Sequence, residues 1–186
     1  TALPTVVTHV KGKKTPVLTF PNSQPISDLS KEVADKINSL TQDELIKKVF
    51  LNHKEVESLK AELSKHGELR LPEVNEGQEA IFSFLKDLND LMRLAKELDI
   101  ESPYEAYSLI DDLPTIEVEF HHLSRKQENQ HGKLSILDTP GPNEFGQSEK
   151  LKGIFIDQLQ KASAVLLVVD YTQMNSEAGG DVRKEV

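Results

Sequence analysis

The chain has 186 residues, with 31 acidic against 22 basic side chains and a net charge of −9, which argues against a general nucleic-acid-binding face. It has no cysteine, so a disulfide framework and a thiolate metal site are both excluded. The length allows one domain, or one domain with an insertion. No apolar stretch reaches transmembrane length and no secretory leader is visible, so the reducing cytoplasm is the default home. The sequence starts at Thr1 and stops at Val186 inside what reads as a new helix, so it is expected to be a piece of something longer.

In chain order, two β-rich runs come first, Thr5–Val10 and Pro16–Phe20. The bridge Lys11-Gly12-Lys13-Lys14 supplies a glycine for a turn, which predicts a hairpin. From Ile26 to about Leu113 the pattern is helical throughout. Thr41-Gln42-Asp43-Glu44 and Ser102-Pro103-Tyr104-Glu105 both fit a capping box. Ile81, Leu85, Leu88, Leu91, Met92, Ala95 and Leu98 form an apolar stripe, read as packing between helices. At Thr115 the period switches to two, with Ile116, Val118 and Phe120 alternating against Thr115, Glu117 and Glu119.

After a polar turn around Gln127 to Gly132, a short apolar strand, Lys133 to Leu137, runs into Asp138-Thr139-Pro140-Gly141. A helix is predicted over Gln147 to Lys161, followed by the continuous apolar run from Ala162 to Val169 that ends in Asp170. A run without alternation implies a strand covered on both faces, so strand, loop, helix and strand read as one βαβ unit with its two strands parallel. An Asp at the end of such a strand suits a role beside a phosphate-bound Mg²⁺, and a Gly three residues on lets bare backbone approach a phosphate. The same residues also fit a sheet in which Asp138 merely caps a turn, and on their own they do not separate the two readings.

Taken in order, the opening Thr1-Ala2-Leu3-Pro4-Thr5, the hairpin, the helical excursion, the alternating strand, Leu137 to Glu144 and Ala162 to Gln173 resemble bacterial dynamin-like GTPases, and among them an enterobacterial clamp-binding member. The resemblance covers nearly the whole chain but only the middle of that family's GTPase domain. It implies an α/β fold: a partial P-loop GTPase-type sheet, with parallel central strands and an antiparallel edge, carrying a large helical insertion. Residues 1–25 would hold the switch-I region and hairpin, 26–113 the insertion, and 114–186 the switch-II strands and the following βα unit. The resemblance implies that Thr1 is the switch-I threonine, which meets both metal and γ-phosphate, with Thr5 as the fallback. It implies that Asp138 serves the metal and that Gly141 meets the γ-phosphate, with Thr139 and Pro140 shaping the nucleotide-facing loop between them. GTP and Mg²⁺ are the implied cofactors of the parent protein. The implied partners are GTP or GDP, further copies of the protein, and a membrane surface or sliding clamp; no direct nucleic-acid binding is expected. The location would be cytoplasmic or peripheral to a membrane.

Departures from the family pattern limit what this stretch does alone. No Gly-x-x-x-x-Gly-Lys-Ser/Thr is present; Gly12-Lys13-Lys14-Thr15 imitates its tail but lacks the first glycine and lies in a turn between strands. No Asn-Lys-x-Asp for guanine occurs either. The isolated stretch is therefore expected neither to hold nucleotide nor to hydrolyse it. The adjacent His121 and His122 would point to opposite faces of a strand and cannot chelate one metal as a pair. Glu117 and Glu119 read as a solvated strand face. The alternative to a GTPase piece is a non-catalytic module whose helices bind a protein partner.

Overall fold

The computed structural model describes residues 3–41, 44, 57–69, 71–123, 134–139, 156 and 160–166. The chain divides into two compact units, Thr1–Asp138 and Thr139–Val186. Among the described residues, no helix is long and apolar enough to cross a membrane.

The first unit begins with β1, Thr5–His9, and β2, Val17–Thr19, both rich in the β-branched residues that suit a pleated surface. Helix α1, Gln24–Ser39, has a proline in its first turn and buries Ile26, Leu29, Val33, Ala34 and Ile37 at helical spacing. Helix α2, Glu57–His66, ends at Gly67, whose φ of +74° needs a residue without Cβ and whose N–H caps the carbonyl of Leu63. Strand β3, Val74–Glu76, leads through Gly77 into α3, Gln78–Glu97. Two short 3-10 turns, Tyr104–Tyr107 and Ile110–Asp112, precede β4, Thr115–Val118. The unit closes with β5, Ser135–Asp138.

The strands form one mixed five-stranded sheet in the order β3-β2-β4-β1-β5. Only β1 and β4 run parallel; the pairs β1/β5, β2/β3 and β2/β4 are antiparallel. With its helices, the unit is α/β. A parallel pair needs a crossover, and the segment holding α1, α2 and α3 supplies it between β1 and β4. Leu18 and Phe20 join the helices' apolar faces in the core. The ring of Phe20 stacks on Tyr107 at 5.8 Å and meets Phe84 edge-on at 5.7 Å. Burial raises the Tyr107 phenol above its ordinary range, and its hydroxyl donates to the Asn22 carbonyl at 2.9 Å.

Several sequence-based expectations hold. The apolar stripe from Ile81 to Leu98 is core, with Leu85 only half-buried. The first capping box forms: Thr41 N–H donates to Glu44 Oε2 at 2.9 Å, and Glu44 N–H donates to Thr41 Oγ1 at 3.5 Å.

Others need correction. The hairpin is absent, because β4 inserts between β1 and β2 and takes the ladder of each. The supposed all-helical stretch contains β3, three residues long with only Asn75 buried, too short for any periodicity to register. The second capping box does not start an α-helix: Tyr104–Tyr107 is a 3-10 turn, Pro103 sits before it, and no side chain caps it. The strand before Gly141 is not buried, and its expected parallel pairing with the run ending at Asp170 falls on residues largely outside the described ones. It is an antiparallel neighbour of β1, with Ser135, Ile136 and Asp138 exposed.

In the second unit, Ile156, Gln160 and Lys161 are helical, as the predicted helix requires. Ala162 to Leu166, the start of the run read as a buried strand, are exposed and carry no strand, Leu166 at 87%. The run's remaining residues, 167–170, lie outside the described ones, as does most of the predicted helix.

Candidate functional site

Of the residues read as a nucleotide site, Asp138 and Thr139 are described; Thr1, Pro140 and Gly141 lie outside the described residues. Asp138 is the last residue of β5 and is exposed, while Thr139 is half-buried. The ladder places Asp138 directly opposite Thr5, the first residue of β1. Opposed residues of an antiparallel pair share a sheet face, so Thr5, Val7, Ile136 and Asp138 lie on one face and Val6, Thr8, Ser135 and Leu137 on the other. Thr5 is only 2% exposed and its hydroxyl donates to the Leu3 carbonyl at 3.4 Å. That hydroxyl is turned to its own strand.

A carboxylate at an exposed strand end is a hard oxygen donor of the kind that suits Mg²⁺. Among the described residues no group of three His, Asp or Glu side chains could hold a metal.

At the opposite end of β1 the loop that imitates a phosphate motif is occupied by carboxylates. Gly12 N–H donates to Glu119 Oε1 at 2.9 Å, and Lys13 Nζ pairs with Glu117 Oε2 at 2.7 Å. Glu119 N–H in turn donates to the Lys13 carbonyl at 2.7 Å. The backbone and ammonium groups that a phosphate would need are thus committed to β4 and the residue just beyond it. Glu117 and Glu119 are therefore loop anchors, a role their alternation alone did not reveal. His9 Nδ1 accepts from Phe120 N–H at 2.9 Å and closes the same corner. His121 and His122 lie in the turn that follows, not on the strand, and their rings meet at 5.4 Å. The turn is why they are not on opposite faces.

Sequence reasoning also missed one contact in the β5 ladder, three residues from Asp138 and on the other sheet face. Thr8, 1% exposed, shares a 2.9 Å hydrogen bond with Ser135 across the β1/β5 ladder. Alternation from the apolar Val6 was the available signal that Thr8 faces inward.

No protein-family model matches the chain, and no solved structure matches it. Two curated Escherichia coli sequences do, both called clamp-binding protein CrfC, one of them from strain K12. Each is 40% identical over all 186 residues, and the match takes in 24% of the relative. The chain thus spans about a quarter of the length of these relatives. From end to end the chain is therefore similar to a stretch of clamp-binding protein CrfC.

Proposed function

We propose that this chain is the middle stretch of a dynamin-like GTPase domain, with Asp138 as the carboxylate that holds Mg²⁺ in register. The observation that carries the reading is Asp138 itself, exposed at the end of β5 in a chain 40% identical throughout to CrfC. Gly141 would offer a backbone N–H to the γ-phosphate, and Thr139 and Pro140 would set the path between the two residues. Thr1 is the better switch-I threonine, because the Thr5 hydroxyl is buried against Leu3. When bound, GTP with Mg²⁺ supplies the transferable phosphoryl group and much of the charge that stabilises its departure. The chain's own residues would orient that pair: Asp138 by accepting hydrogen bonds at the end of β5, Gly141 by allowing close backbone approach. The full-length protein would couple this cycle to self-association, with a sliding clamp or a membrane surface as further partners.

The test is made in the full-length protein. Asp138→Ala is expected to fold normally, because the site is exposed, and to lower GTP turnover on the order of a hundredfold. Gly141→Ala is expected to impair turnover while sparing GDP affinity. Wild-type turnover in Asp138→Ala would remove the basis of this reading and leave the helical interaction module ahead.

A further inference from the structure

Strand β5 is held by little. Among the described residues its only strand partner is β1, and Ile136 is 52% exposed. Leu137 is packed at the margin of the core, opposite the buried Val6. Between the two strands, Thr8 Oγ1 and Ser135 Oγ share a side-chain hydrogen bond. His9 N–H donates to the Leu134 carbonyl at 2.9 Å, which makes Thr8 and Ser135 a non-hydrogen-bonded pair in the backbone ladder. In such pairs the backbones approach most closely, about 4.5 Å between Cα atoms, so two short hydroxyl side chains can meet. The Thr8 hydroxyl is buried, so losing its partner leaves a polar group without compensation.

Register decides what Asp138 does. A one-residue slip of β5 moves Asp138 from the face of Thr5 to the face of Thr8. A two-residue slip keeps the face but carries the carboxylate about 7 Å along the strand. Exposed apolar side chains such as Ile136 penalise neither slip strongly. A hydrogen bond between two particular hydroxyls does, because no neighbouring register brings Thr8 opposite Ser135.

We infer that Thr8 and Ser135 are positioning residues, whose shared hydrogen bond sets the register of β5 on β1 and so the place at which Asp138 meets its metal. The inference rests on the reading of Asp138 given above. This stretch has no cysteine, so an introduced pair reads the register once any cysteine elsewhere in the full-length protein has been replaced. Val7 and Ile136 are directly opposed at a hydrogen-bonded position, about 5.5 Å between Cα atoms, so Val7→Cys with Ile136→Cys is expected to form a disulfide in the native register and more slowly in a slipped one.

The experiment measures that cross-linking rate, and separately GTP turnover without the cysteines, in full-length protein carrying Thr8→Val, Ser135→Ala or Thr8→Ser. Ser135 is exposed, so Ser135→Ala guards against simple misfolding. Thr8→Val and Ser135→Ala are expected to slow cross-linking and to lower kcat on the order of tenfold with KM little changed. Thr8→Ser, which keeps the hydroxyl, is expected to retain both. Unaltered cross-linking in Thr8→Val and Ser135→Ala overturns the register claim. Slowed cross-linking with unaltered kcat overturns the positioning role, provided Asp138→Ala, assayed in parallel, has lost turnover. If Asp138→Ala also turns over normally, the failure lies with the reading of Asp138.

Discussion

At the residue scale, one charge at odds with its surroundings is Asp87 on α3. Burial raises its carboxyl above the usual carboxylate range; Lys86 opposes this, Glu62 and Asp90 add to it, and a hydrogen bond with Ser83 lowers it again. A carboxyl whose pKa rises on folding favours the protonated state in the native protein. Its contribution to stability is therefore fully present below the unfolded range, near pH ~3.9, and is lost as pH rises through the raised folded value. Asp87→Asn cannot ionise. It is expected to melt at a higher temperature than the parent chain at neutral pH, with the difference shrinking in acid as Asp87 itself becomes protonated. Thermal unfolding followed by circular dichroism across that range decides it, and a lower melting temperature for the variant at neutral pH would contradict the argument. Asp138 announced itself in the sequence because Asp-x-x-Gly follows an apolar strand. The Thr8–Ser135 bond did not, because it joins residues 127 positions apart and depends on a pairing no local pattern encodes.

At the element scale, the long apolar stripe of α3 was legible because helical spacing sustained over so many residues fits little except an amphipathic helix. The strands were legible as strands but not in their pairing. Two β-rich runs joined by a glycine turn carry the local signature of a hairpin, and the glycine turn is real, with Gly12 at φ +81°. What the turn joins is decided by β4, whose two backbone edges serve β1 and β2 at once. The loop within that turn yields a prediction. Lys13 pairs with Glu117 at a half-exposed site, where such ion pairs contribute about 0–1 kcal/mol. Lys13→Ala in the full-length protein is therefore expected to leave GTP affinity unchanged and to cost little stability, as calorimetry would record. A tenfold loss of affinity would return this loop to the phosphate site.

For the whole molecule, the expectation follows from the surroundings of Asp138. Among the described residues no second ligand set accompanies it, and the one loop resembling a phosphate cradle is filled by Glu117 and Glu119. The 186-residue chain in isolation is expected to bind GTP with Mg²⁺ weakly or not at all. Isothermal titration tests this, and low-micromolar affinity would mean that the phosphate site has been misplaced. The family likeness was readable from motif order along nearly the whole chain, whereas the sheet's strand order was not, since it is a property of contacts between distant segments.

The insertion of β4 between β1 and β2 has a further consequence, in time. Neither of the two N-terminal strands finds its central partner until Thr115–Val118 has emerged from the ribosome. Until then the nascent chain can form α1, whose backbone hydrogen bonds are local, but within this stretch Thr5–His9 has neither of its two ladder partners. Pairing across so long a separation is intrinsically slow and leaves a sticky strand exposed meanwhile. Translation speed through the helical stretch is therefore expected to affect yield: a pause before Thr115 would prolong the vulnerable interval, and a pause after Val118 would let β4 join β1 and β2 before β5 is laid against them.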